Sequence, residues 1–339
     1  MGSVKDLKIV KKPESSKMGI GQFVFSDRYS VFDWGEMPDQ IPNKGAAITI
    51  LGGYFFEKME EMGIPTQYIG LVEDGVAKKL SDVRKPVSTM EIKLLNVVRP
   101  ELKGQEYDYS SYQHQRGGFL IPLEVIYRNF LPEGSSVFRR LKKGTVMPED
   151  LGLDKPPVPG QKLDHPLLDV STKLEITDRY MRWDEAKQIS GLSDDEIDEI
   201  KDLTNTINGL ISKEFSRIGL VNEDGKIEFG YDPNRQLMVV DVLGTLDECR
   251  FTYDGLPVSK EIARLFYRNT KWYQAVEKAK NENRQHWKEI CRLSPPPLPE
   301  RIAQGISQVY CACTNEVTQQ EWFEGIPPLK EILREMERI

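Results

Sequence analysis

Glu228 and Asp241 carry the clearest chemical signal in the sequence. Each is an acid set among apolar residues, Ile227 and Phe229 around the first, Val239, Val240 and Val242 around the second. An ionised carboxylate in such surroundings is costly unless it is paired or binds a cation. Segments 226–230 and 237–242 read as the arms of a hairpin, which predicts the two acids on neighbouring strands. Two oxygen ligands so placed suit a magnesium ion that bridges nucleotide phosphates. Asp247-Glu248-Cys249-Arg250 follows in the next turn and brings another acid and a guanidinium within reach.

Three further segments are richer in polar groups than a bare fold requires. In 26–34 and 41–45, Asp27, Arg28, Ser30, Asp33 and Lys44 crowd a strand-to-helix connection, where phosphate and carboxylate ligands are often positioned, although a solvated loop has the same composition. Glu124 and Arg128 lie on a strand that leads into Gly134-Ser135-Ser136. An arginine, a serine hydroxyl and backbone N–H groups together suit a phosphomonoester, and a structural ion pair accounts for Arg128 equally well. Lys173, Glu175 and Asp178-Arg179 alternate in charge, a pattern common in surface salt bridges. The residues by themselves lead to a phosphate- and metal-using site with no substrate specified.

The elements that must position these groups are legible from periodicity. Strands are predicted over 2–10, 22–25, 66–72, 90–98 and 119–127, and a helix over 46–62, ended by Gly63-Ile64-Pro65. Ser193-Asp194-Asp195-Glu196 has the form of a capping box and opens a long amphipathic helix to about residue 219. Helices are predicted again over 259–280 and 299–314. The Tyr-rich, Gly-ended stretch 100–118 reads as an inserted surface loop.

A chain of 339 residues is about twice the usual domain length of ~150 residues, so two units are expected. The net charge of -7 argues against a nucleic-acid backbone or an anionic membrane as partner, since both select for excess Lys and Arg. No apolar run approaches the ~20 residues of a membrane helix, and the first thirty residues lack a signal-peptide apolar core, which together predict a cytoplasmic protein. Four cysteines late in the chain do not make a disulfide framework and read as buried thiols.

Taken in order, these segments closely resemble the SAICAR synthetase family. The resemblance rests on residues 2–6, on Ser26-Asp27-Arg28-Tyr29-Ser30-Val31-Phe32-Asp33, on Ile41-Pro42-Asn43-Lys44-Gly45 and on Ile121-Pro122-Leu123-Glu124-Val125-Ile126-Tyr127-Arg128. It continues through Gly134-Ser135, Lys226-Ile227-Glu228-Phe229-Gly230, residues 241–250 and 296–300. It implies an α+β fold of two units, residues 1–90 forming an antiparallel sheet and 91–339 a larger ATP-grasp-like unit, with ATP in the cleft between them. Insertion 100–118 and a helical C-terminal extension belong to the second unit.

The activity implied is an ATP-dependent ligation of L-aspartate to carboxyaminoimidazole ribotide through an acyl phosphate, in de novo purine synthesis. ATP and Mg2+ are the implied cofactors, the partners are small-molecule substrates with no nucleic acid and no membrane, and a homo-oligomer is allowed. The implied roles are catalysis for Lys5, Asp247 and Arg250; ATP binding for Lys5, Lys93, Glu124, Glu228 and Asp241; and metal binding for Glu228 and Asp241. Substrate binding falls to Asp27, Arg28, Ser30, Asp33, Lys44, Arg128, Ser135, Lys173, Asp178 and Arg250. The sequence departs from the family pattern at Val242, Leu246 and Glu248-Cys249, and Asp178-Arg179 stands where the family has His-Asp. Those departures keep a paralogous amide ligase, or a nucleotide-binding pseudoenzyme, as alternatives.

Overall fold

The computed structural model describes residues 4–14, 16–104, 106–258, 260–283 and 286–337. Gly2, Ser3 and Ser259, which the predicted first strand and a predicted helix include, lie outside the described residues.

The N-terminal sheet is built from β1 (Lys5–Lys11), β2 (Gly19–Phe25), β3 (Tyr68–Glu73), β4 (Val76–Lys78) and β5 (Thr89–Leu94), ordered β1-β2-β5-β3-β4 and antiparallel throughout. The division of the chain at 90/91 therefore falls inside β5. Helix α1 (Lys44–Glu61) buries Ile48, Ile50, Leu51, Phe55, Phe56 and Met59. Its start is fixed from outside. Asn43 takes a left-handed φ of 63° and offers no side-chain cap, so Asp27 accepts from the N–H groups of Asn43 (3.2 Å) and Gly45 (2.9 Å) instead. Glycine at 45 is required by close approach, because a Cβ there would stand 2.9 Å from Phe25 O.

Segment 100–118 differs from a simple surface loop. It holds a hairpin, β6 (Glu101–Lys103) with β7 (Glu106–Asp108), and a single-turn helix whose Tyr112 is 1% exposed and donates to Val98 O. Tyr109 and Tyr112, which look like surface polarity in the sequence, are anchors in the core, and Tyr107 packs partly buried against it.

The second sheet takes β8 (Phe119–Leu131), β9 (Gln161–Thr172), β10 (Tyr180–Met181), β11 (Val221–Tyr231), β12 (Leu237–Val240), β13 (Cys249–Tyr253) and β14 (Leu256–Val258). Its order is β10-β9-β8-β11-β13-β14, and one edge of β11 is shared, β13 pairing with residues 221–225 and β12 with 228–231. Side chains alternate between faces along a strand. One face presents Val125, Tyr127, Ile227 and Phe229 to the core. Helix α2 (Ser136–Lys142) follows β8, and α3 (Trp183–Ser190) leads into α4 (Asp194–Ser216), whose capping box joins Ser193 and Glu196. The apolar stripe Ile197, Ile200, Ile207, Ile211, Phe215 covers that face, with Phe215 stacked on Phe251 at 3.9 Å.

The predicted helix over 259–280 is two, α5 (Glu261–Arg268) and α6 (Lys271–Glu282), because Thr270 caps the second by accepting from Tyr273 N. After the short α7 (Trp287–Ile290), α8 (Glu300–Thr318) returns to lie on α1, and α9 (Leu329–Met336) ends the described chain. Cys311 and Cys313 are buried in α8, and Cys249 is buried in β13. Among the described residues no helix is long and apolar enough to cross a membrane.

Candidate active site

The other face of the second sheet is polar, and it is written in period two. On β11 it presents Asp224, Lys226 and Glu228; their partners on β8 are Arg128, Ile126 and Glu124; on β9 it carries Asp169 and Ser171, with Lys173 directly after the strand. The face has two ends of different chemistry.

At one end, Lys173 Nζ bridges Glu228 (2.6 Å) and Glu124 (3.0 Å), and Lys226 reaches Glu124 (3.1 Å), Glu228 (3.6 Å) and Glu248 (3.6 Å). Burial works against the Lys226 ammonium, yet Glu248, Glu228 and Glu124 hold its pKa well above the usual lysine value. The same opposition raises Lys173, where Glu228 and Glu124 outweigh burial. From the first sheet, Lys5 on β1 ion-pairs with Asp241. Burial pulls Lys5 down to about 8, partly offset by Glu248 and Glu228.

Asp241 leaves β12 with a left-handed φ of 59°, immediately after Val240, the partner of Glu228. The hairpin thus brings the two acids close in the chain's pairing, and each carboxylate carries its own lysine. The two units are tied here: Gln67 Nε2 donates to Asp241 O (3.3 Å), and the backbone N–H of Gln67 donates to Val239 O (3.0 Å).

The turn 241–248 fills the gap between β12 and β13. Asp247, 7% exposed, accepts from Lys44 Nζ (2.6 Å) and from the Tyr310 hydroxyl (2.6 Å), while Lys260 Nζ donates to its carbonyl (2.6 Å). Burial disfavours its charge, but Lys44 and Lys260 hold the Asp247 carboxyl below the usual range.

At the other end the face is a guanidinium–carboxylate network. Arg128, 2% exposed, donates to Asp169 (3.1 Å), Asp224 (3.4 Å) and the Ser136 hydroxyl (3.1 Å). Arg140 pairs with Asp169, and Arg250 Nε donates to Asp224 (2.8 Å). Ser135 caps α2 by accepting from Val137 N. The guanidiniums nearest the Gly134 position are those of Arg250 and Arg268.

The remaining sequence candidates are spread more widely. Lys93 donates to Thr66 O (3.3 Å); Arg28 is turned to Asp6 (2.7 Å) and Ser26 (2.8 Å); Asp33 pairs with Lys280 (3.0 Å); Ser30 is half-buried. Asp178 is exposed at the rim, in the electrostatic range of Lys226, Lys173, Asp33 and Glu228. Tyr310, Lys260, Arg140, Asp169, Asp224, Lys226 and Arg268 were not candidates from the sequence. The alternation Asp224-Lys226-Glu228 is a usable signal for two of them once the strand is seen to begin at Val221, ahead of the predicted 226; nothing local marks Tyr310.

A family model described as SAICAR synthetase matches residues 8–285. A relative from Archaeoglobus fulgidus, provisionally named phosphoribosylaminoimidazole-succinocarboxamide synthase, is 49% identical over 339 residues, 100% of this chain and 99% of its own. Two solved structures share the fold. The SAICAR-synthase from Saccharomyces cerevisiae complexed with SAICAR has a TM-score of 0.62 at 20% identity, covering 95% of this chain and 94% of that one. A type-2 SAICAR synthetase in complex with ADP has a TM-score of 0.56 at 21% identity, covering 88% and 99%. With the α+β architecture of two main antiparallel sheets in place, the family match and the 49% identity make the assignment: the chain belongs to the SAICAR synthetase family.

Proposed function

We propose that the cleft joins L-aspartate to carboxyaminoimidazole ribotide with ATP, giving SAICAR, ADP and phosphate in the cytoplasmic synthesis of purines. The observation that carries this reading is the single polar sheet face with an arginine-rich end and a lysine–carboxylate end. Asp224 and Glu228 are four residue steps apart on β11, about 13 Å of strand. That length accommodates a ribotide laid along the strands, its phosphate near Arg250, Ser135 and Arg268 and its carboxylate near Lys173 and Lys226.

A carboxylate is a poor electrophile until it is phosphorylated. In the first step a carboxylate oxygen of the ribotide attacks the γ-phosphorus of ATP, the bond from that phosphorus to the β–γ bridging oxygen breaks, and ADP leaves. In the second, the aspartate amine attacks the acyl carbon, the C–O bond to phosphate breaks, and the amine proton is lost. Phosphoryl transfer mostly needs positioning and charge neutralisation. Lys5, Lys173 and Lys226 face the nucleotide phosphates in this reading, and Lys93 lies on the same first sheet as Lys5. Asp178 and Asp33 at the rim present acids to the aspartate ammonium.

Glu228 and Asp241 fit magnesium by donor chemistry, since this ion is commonly held by one or two carboxylates together with nucleotide phosphates and water. Among the described residues no group of three His, Cys, Asp or Glu could hold a metal, so phosphate and water would supply the other ligands. The ion would add charge neutralisation at the transferring phosphoryl group. Steady-state assay with ATP, aspartate and the ribotide tests the reading: formation of SAICAR with stoichiometric ADP is expected, and no product from this pair would overturn it.

A further inference from the structure

Loop 173–178 leaves the sheet and returns to it through a closed neck. The Thr172 N–H donates to Arg179 O (3.1 Å), and the Arg179 N–H donates to Thr172 Oγ1 (3.1 Å). The neck extends the β9–β10 hairpin, in which Ser171 pairs with Tyr180, and Asp178 on the returning limb lies in the electrostatic range of Lys173 on the outgoing one. Lys173 is secured by Glu124 and Glu228. Among the described residues Asp178 has no such tether; its place depends on the loop.

Tyr107 and Tyr109 line a cavity of about 960 Å³ together with the loop residues Glu175, Ile176 and Arg179, so open space borders the loop. What holds it is the segment after the hairpin turn of β6 and β7. The Tyr107 hydroxyl accepts from the Ile176 N–H (3.1 Å), and the Tyr109 hydroxyl donates to Glu175 Oε1 (3.1 Å), the carboxylate that Arg179 also grips. The anchor itself is firm: Tyr109 is 6% and Tyr112 1% exposed, and Gln113 Nε2 donates to Gln188 O (2.6 Å) on α3.

We propose that Tyr107 and Tyr109 are positioning residues for the amine substrate. They strap loop 173–178 to the 106–109 segment and so set where Asp178 meets the incoming ammonium group, which makes the 100–118 segment a specificity element of the site. The inference rests on the function proposed above for its substrate and on the geometry alone for the strap.

The test is Tyr107→Phe, Tyr109→Phe and the double variant, which keep the rings and remove only the hydroxyls. Two readouts are taken. In the first, amide hydrogen exchange of residues 175–178 in the substrate-free protein should speed up by about fivefold or more in the double variant, the loss of a hydrogen bond or two, with exchange in β8 and α4 unchanged. Unchanged exchange in the loop overturns the strap, whatever the protein catalyses. In the second, KM for aspartate should rise by about fivefold while kcat and KM for ATP move less than about twofold, and the preference for aspartate over glutamate should relax. Faster loop exchange with an unaltered aspartate KM and unaltered preference overturns the specificity role. Wild-type protein that makes no product from aspartate would fall on the functional reading, and the exchange experiment would still decide the strap.

Discussion

Tyr310 on the C-terminal helix donates its hydroxyl to Asp247 Oδ1 at 2.6 Å, while Lys44 holds the other oxygen of the same carboxylate at 2.6 Å. The three side chains are buried, and they join the first residue of α1, the 241–248 turn and α8. Tyr310→Phe removes one buried hydrogen bond and should cost about 1–3 kcal/mol. Asp247→Ala strands the Lys44 ammonium and should cost more, about 3–5 kcal/mol. Denaturant unfolding checks the order; equal costs would mean that Lys44 finds another partner.

Arg128 and Arg250 share Asp224 but differ in exposure, the side chain of Arg128 being 2% and that of Arg250 22% accessible. Arg128→Ala leaves Asp169 and Asp224 short of a buried counter-charge, and its main effect is expected on stability, about 3–5 kcal/mol. Arg250→Ala should instead raise KM for the ribotide about tenfold or more, with KM for ATP moving less. Unfolding and kinetic measurements on both variants separate the roles, and matching profiles would contradict the division.

At Asp241, two neighbouring acids alone would predict that Asp241→Asn relieves repulsion. Its ion pair with Lys5 reverses that sign. The variant is expected to melt below wild type, to lose about 100-fold or more in kcat, and to gain less stability from ATP with magnesium than wild type does. Thermal shift with and without ligand measures this; an equal gain in both proteins would remove Asp241 from the nucleotide site.

Burial sets Lys5 at about 8, so its positive charge is present below that pH and lost as pH rises through it. Because the unfolded lysine titrates near ~10.4, the unfolded state binds more protons between about 8 and 10.4, and this group makes the apo protein more stable as pH rises across that window. Nucleotide affinity moves the opposite way, weakening above pH 8 as a cation is lost. Calorimetric ATP titrations from pH 7 to 9 should show the decline in wild type and little of it in Lys5→Arg.

The fold was legible where the signal is local. Ser193 and Glu196 mark the start of α4 by their own chemistry, and the apolar setting of Glu228 implies a buried charge that needs a counter-charge, as found, whereas Asp241 in a similar setting is only half-buried, because it stands in the turn just past β12. Which counter-charge answers it is a matter of tertiary placement: Lys5 lies 236 residues from Asp241, and Lys173 lies 55 from Glu228. The pairing of Tyr310 with Asp247 is invisible for the same reason. In 100–118 the composition misleads, since a tyrosine reads as polar until its ring is seen in the core. The break at Thr270 is a cap that periodicity passes over.

The most direct measurement follows the oxygen. With the ribotide labelled by 18O in its carboxylate, and with ATP and aspartate supplied, phosphorylation of that carboxylate must deliver one labelled oxygen to inorganic phosphate for every SAICAR formed. The account predicts that transfer, abolished when the ribotide is omitted. SAICAR formed with unlabelled phosphate, or no turnover at all, would contradict it.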